Sequence, residues 1–169
     1  MRSAFVGRRP PRRDPADPEA ARESALRLLE RTRRTRLELA RKLRDQGFEP
    51  RVIEEVLERL TSVGLIDDAE YARAFLASRL GRKAAGWRRL EIELRRRGVS
   101  ADDASAARAR FEEEQGATDE VALARRVVAQ VEARYRSLEP RLRRQRLYAL
   151  LVRRGFDGDV IERVLAEGQ

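Results

Sequence analysis

Gly47, Gly98 and Gly155 each stand four residues after one leucine (Leu43, Leu94, Leu151) and eight after another (Leu39, Leu90, Leu147), and each is followed at once by Phe48, Val99 or Phe156. Leucines four apart share one face of a helix. Glycine then ends that helix, because it enters the left-handed region without a Cβ penalty. Glu49, Ser100 and Asp157 come next as N-cap candidates, and Pro50 fits the first helical position in the first copy. Phe48 and Phe156 stand five residues before Ile53 and Ile161, the spacing of a hydrophobic staple. Val52-Ile53 and Val56-Leu57 parallel Val160-Ile161 and Val164-Leu165, whereas the middle copy has Ala104 and Ala107. Its closing helix is therefore expected to pack at a different distance.

A further helix precedes each pair, over about 17–32, 68–80 and 119–136. Asp17-Pro18 reads as a cap followed by proline, Thr35 with Glu38 as a capping box, and Asp67 with Glu70 as another. A period of about fifty residues marks an array of stacked units. The expectation is all-α: three tandem three-helix repeats, helix-turn-helix-like and wingless, forming an elongated curved array. The repeats would span 17–63, 64–115 and 116–169, after a disordered, basic, Pro-rich arm at 1–16 broken by Pro10, Pro11 and Pro15. A single irregular bundle is the alternative, but it leaves the joint recurrence of glycine, leucines and staple unexplained. No self-complementary apolar face stands out, so a monomer is expected.

Charged residues make up 40% of the chain and aromatics 5%, with a net charge of +9. The apolar material thus suits thin helix-on-helix contacts, and the surplus of positive charge favours an acidic partner, nucleic acid first. Nearly all the cations are arginine, with only Lys42 and Lys83 as lysines. There is no cysteine and no histidine, which excludes disulfides, zinc fingers and thiol or imidazole catalysis. No Walker-type phosphate loop or nucleophile–base constellation is present, and no cofactor is implied. Asp67-Asp68 falls at a helix start, where carboxylates cap free N–H groups, so it is not read as a metal or catalytic site. No apolar run reaches the ~18 residues of a membrane span, and the Arg- and Pro-rich start has no secretory apolar region. A cytoplasmic protein is expected.

The binding candidates are arginines. Arg79, Arg82, Lys83, Arg88, Arg89, Arg95, Arg96 and Arg97 form the densest cluster, opposed within it only by Glu91 and Glu93. Those on the helix after Gly86 point away from Leu90 and Leu94 and could reach phosphates or an acidic protein surface. The plainer alternative is a solvated face held by i, i+4 pairs such as Glu91 with Arg95 and Glu93 with Arg97. Arg141, Arg143, Arg144 and Arg146, then Arg153 and Arg154, form a second cluster; Arg31, Arg33, Arg34 and Arg36 form a third. Equivalent places in the repeat would let them share one stripe. Trp87, the sole tryptophan, is read as a packing or helix-end residue, and Tyr71, Phe75 and Phe111 as core. The closing helices are poor readers of duplex DNA, since they carry Glu54, Glu55 and Glu58 in one copy and Asp102 and Asp103 in another.

Several segments together resemble a known family: Ala25-Leu26-Arg27-Leu28-Leu29, the run from Thr35 to Leu43, Leu65-Ile66-Asp67-Asp68 with Tyr71-Ala72, and Gly86 with Arg89-Leu90, Leu94 and Gly98-Val99. In this order and spacing the chain resembles the RecX family from about Ala25 to Leu165. The residue after Gly86 is often proline in that family and here is Trp87, and the arm before Asp17 has no match. The resemblance implies a non-enzymatic regulator that binds the RecA recombinase filament on single-stranded DNA along its helical groove. It further implies suppression of recombinase ATP hydrolysis, strand exchange and co-protease activity, and so modulation of recombinational DNA repair and the SOS response. Duplex DNA would be at most a weak ligand. The alternative is a stand-alone DNA-binding protein, architectural or transcriptional.

Overall fold

The computed structural model describes residues 14–80 and 85–166, and all regular structure among them is helical. They fall into two compact units, divided after Asp67.

Unit 1 contains α1 (Pro18–Arg31), α2 (Arg36–Asp45) and α3 (Pro50–Ser62). The Asp17 carboxylate accepts hydrogen bonds from the Glu19 and Ala20 amides at 2.9 and 3.1 Å, which fixes the start of α1. The buried Thr35 hydroxyl accepts from the Glu38 amide at 3.2 Å and opens α2. Glu49 occupies the N-cap position of α3 without a side-chain bond to it; Pro50 supplies the preset backbone. The three helices enclose Ala21, Ala25, Leu39, Leu43, Phe48, Ile53, Val56 and Leu57. Most of the expected disordered arm, residues 1–13, lies outside the described residues. Asp14 to Ala16 form a turn, and the Pro15 carbonyl accepts from the Glu49 amide at 2.9 Å. Pro15, which falls in the expected arm, is thus bonded to the start of α3.

Unit 2 holds two further three-helix sets. The first is α4 (Asp68–Leu80), α5 (Trp87–Arg96) and α6 (Ala101–Gln115); the second is α7 (Glu120–Tyr135), α8 (Pro140–Arg154) and α9 (Gly158–Ala166). Ala72, Leu76, Leu90, Leu94, Val99, Ala104 and Ala107 form one core, and Val127, Leu147, Leu151, Phe156, Ile161 and Val164 belong to the other. Ala104 and Ala107 settle the packing question of the middle copy. With methyl groups facing the core, α6 lies against α4 in the most extensive helix pairing among the described residues. Tyr71, Phe75 and Phe111 are partly buried against this core.

The glycine pattern has one geometric cause. In all three copies the apolar residue after glycine donates its amide to the leucine carbonyl: Phe48 to Leu43 at 3.2 Å, Val99 to Leu94 at 3.1 Å, Phe156 to Leu151 at 3.2 Å. The glycine amide donates to the residue after that leucine, at 2.9 to 3.0 Å. This is a Schellman closure, and it requires the positive φ of 90°, 91° and 84° at Gly47, Gly98 and Gly155. The leucine and the apolar residue after glycine are both buried in the core, so one motif ends a helix and seeds the packing of the next. Among the described residues no helix is long and apolar enough to cross a membrane.

Candidate functional site

Within unit 2 the two helix sets meet where the start of α5 abuts the end of α8. The Gly86 amide donates to the Arg154 carbonyl at 3.0 Å, and the Arg89 guanidinium donates to the Arg153 carbonyl at 3.4 Å. Donors thus meet the open carbonyls at the negative end of α8. On the other side, the Glu120 carboxylate accepts from the Trp87 amide at 2.7 Å and caps α5 from the neighbouring set. A Cβ on Gly86 would come within 2.2 Å of the Gly155 carbonyl oxygen, so only glycine allows this approach. Trp87 is a helix-end residue, as expected, with the Arg108 guanidinium 4.8 Å from its ring centroid.

The joint builds a groove of about 570 Å³ between α5, α8 and the start of α9. Arg88, Arg89, Arg96 and Arg153 line it, with Glu93 the sole carboxylate among its lining residues. The first three were expected site residues; Arg153 comes from the second cluster, and the fold brings it to them. A separate groove of about 550 Å³ lies within the second helix set, where Arg136, Arg141, Arg143 and Arg144 surround Leu147, Val164 and Leu165. Within unit 2 arginines of the two clusters thus line two separate grooves, while Arg79, Arg95 and Arg146 line neither. Arg82 and Lys83 lie outside the described residues.

Ion pairing separates the candidates further. Arg79 pairs with Glu93 at 3.5 Å and sits 5.3 Å from the Phe75 ring centroid; Arg89 pairs with Glu93 at 3.2 Å and Arg95 with Glu91 at 2.9 Å. Arg88 meets Asp157 of the other set at 3.5 Å, a partner that no local spacing reveals. Arg143 pairs with Glu132 at 3.2 Å, and Arg144 with Glu162 at 2.6 Å and with the Leu165 carbonyl. Arg97 donates to the Tyr71 hydroxyl at 3.0 Å. Arg73, absent from the sequence candidates, is held in its charged form by a side-chain hydrogen bond to Glu70, with the charges of Glu70 and Glu114 adding to the rise in its pKa. Arg96, Arg141, Arg146 and Arg153 are exposed, and their side chains have no ion-pair partner among the described residues. In unit 1, Arg36 pairs with Glu54 and donates to the Thr61 hydroxyl at 3.3 Å.

These features define, among the described residues, an all-α protein of three three-helix units, each with the same glycine turn before its last helix, with one arginine-lined groove between the second and third units and another within the third. Profiles described as the first, second and third three-helix domains of RecX match residues 21–60, 67–107 and 118–165. The chain belongs to the RecX family. It is 38% identical over 147 residues to a regulatory protein RecX from Thermobifida fusca (strain YX), covering 87% of this chain and 77% of that one. A regulatory protein RecX from Streptomyces coelicolor is 38% identical over 157 residues, covering 93% and 80%. The fold is also that of the crystal structure of RecX from Lactobacillus salivarius, with a TM-score of 0.76 at 22% identity over 89% of this chain and 95% of the other.

Proposed function

We propose that this chain is a non-enzymatic regulator that binds the RecA recombinase filament on single-stranded DNA and restrains its ATP hydrolysis, strand exchange and co-protease activity. Through that contact it would modulate recombinational DNA repair and the SOS response, acting as a cytoplasmic monomer. The observation that carries the reading is the unit 2 groove, lined by Arg88, Arg89, Arg96 and Arg153, of which Arg88 pairs with Asp157 and Arg89 with Glu93 while Arg96 and Arg153 have no ion-pair partner among the described residues. Guanidinium groups on a preformed, cationic surface suit an acidic nucleoprotein partner. Several such contacts along one filament add through effective concentration. Family membership supports the same reading, since the matched relatives are named regulatory protein RecX.

The test is a titration of the purified chain into cognate recombinase hydrolysing ATP on single-stranded DNA. Substoichiometric inhibition is expected. Unchanged hydrolysis together with tight, recombinase-independent binding to duplex DNA would instead favour a stand-alone DNA-binding protein.

A further inference from the structure

The α5–α8 groove is not only cationic. Three apolar side chains stand open to solvent in it: Ile92 at 46% exposure, Tyr148 at 42% and Val152 at 50%. Ile92 shares one stripe of α5 with Arg88 and Arg96, at i−4 and i+4. Tyr148 and Val152 stand four apart on α8. Isolated exposed apolar residues need no explanation, but three from two helices converging on one groove do.

The chemistry of this floor separates two classes of occupant. A single strand of nucleic acid is gripped by stacking on several aromatic rings, with cations along the backbone. This groove offers one ring, and the aliphatic side chains Ile92 and Val152 have little to gain from sugar and phosphate. A protein interface has the arrangement seen here: an apolar centre that includes a tyrosine, with arginines at its edge. The rim fixes the charge of the occupant. Glu93 is already held by Arg79 and Arg89, whereas Arg96 and Arg153 have no ion-pair partner among the described residues. The joint at Gly86 and Gly155 holds the two helix stripes in place, so little ordering cost falls on binding.

We propose that the α5–α8 groove seats an acidic protein segment carrying aliphatic side chains, with Ile92, Tyr148 and Val152 taking its apolar groups and Arg96 and Arg153 its carboxylates. This rests on the filament reading above, and the segment then belongs to the recombinase rather than to its DNA.

The experiment compares the full-length chain with the double variant Ile92→Ser, Val152→Ser and with Arg96→Glu. Binding is measured to recombinase filaments assembled on oligo(dT) and to oligo(dT) alone. All three positions are exposed, and a urea melt checks that each variant folds. The double variant should lose about tenfold or more in filament affinity, as expected for apolar anchors, with oligo(dT) binding unchanged. Arg96→Glu should weaken filament binding most at low salt. Unchanged filament affinity in both variants would overturn the proposal while leaving the filament reading intact. Equal losses on oligo(dT) would assign the groove to nucleic acid, and a concentration-dependent dimer abolished by the double variant would assign it to a second copy; either result also overturns it. Failure of the wild-type chain to bind filaments would remove both readings.

Discussion

The Gly86 amide donates to the Arg154 carbonyl at 3.0 Å, and the α-carbon of Gly86 faces the Gly155 carbonyl with no room for a methyl group. Two glycines from different helix sets therefore make the joint of unit 2. Gly155 serves twice, once as the left-handed turn that ends α8 and once as the floor on which α5 is laid. A Cβ there would meet the Arg89 backbone nitrogen at 2.5 Å.

Gly86→Ala should destabilise unit 2 by about 1–3 kcal/mol, the usual cost of forcing an extra methyl into close packing. Gly158→Ala is the control: nothing lies within 4 Å of the added methyl. It should be neutral or slightly stabilising, by at most about 1 kcal/mol. Urea unfolding of both variants checks the pair, and equal midpoints would contradict the joint.

The three glycine turns should not respond alike. Gly47→Ala carries only the left-handed backbone penalty, about 1–2 kcal/mol, because its surroundings are open. Gly155→Ala carries that penalty and the collision with Arg89 as well. The expected order of destabilisation is Gly155→Ala above Gly47→Ala, read from denaturant midpoints on the same buffer series.

Leu94→Ala should cost about 2–5 kcal/mol, the range for truncating a buried leucine. Leu94 is fully buried and its carbonyl also accepts the Val99 amide. Arg95→Ala, one residue on, removes only an exposed pair with Glu91. Its effect should stay within about 0.5 kcal/mol. Thermal or urea melts distinguish the two readily.

Trp87→Pro keeps a residue suited to a helix start but removes the amide that bonds Glu120. In the wild-type background Glu120→Ala should destabilise by about 1 kcal/mol or somewhat more, since it strips a charge-assisted bond. In the Trp87→Pro background that cost should largely vanish. A double-mutant cycle measures the coupling, and additive effects would contradict the contact.

Much of this fold can be read from the sequence alone. The spacing of Leu39, Leu43, Gly47 and Phe48, met again at Leu90 to Val99 and Leu147 to Phe156, encodes helix face, stop and re-entry locally. Each of those consequences depends on neighbours within a few residues, so a linear reading captures it. Contacts of the joint do not work that way. Arg89 reaches a carbonyl 64 residues further along the chain, and Trp87 a carboxylate 33 residues further. No periodicity announces either. The site candidates illustrate the same divide. The counter-ion of Arg88, Asp157, sits in another repeat, and Arg153 reaches the groove only because the fold lays α8 against α5. The apolar character of the groove was also hidden, because Ile92, Tyr148 and Val152 read in sequence as ordinary members of amphipathic helices.

Hydrogen–deuterium exchange of the full chain, alone and on recombinase filaments assembled on single-stranded DNA, measures whether the α5–α8 groove is the surface that meets the filament. Slowed exchange is expected, confined largely to residues 86–97 and 146–158, where the groove's walls lie. Protection elsewhere with these two stretches unaltered would contradict it.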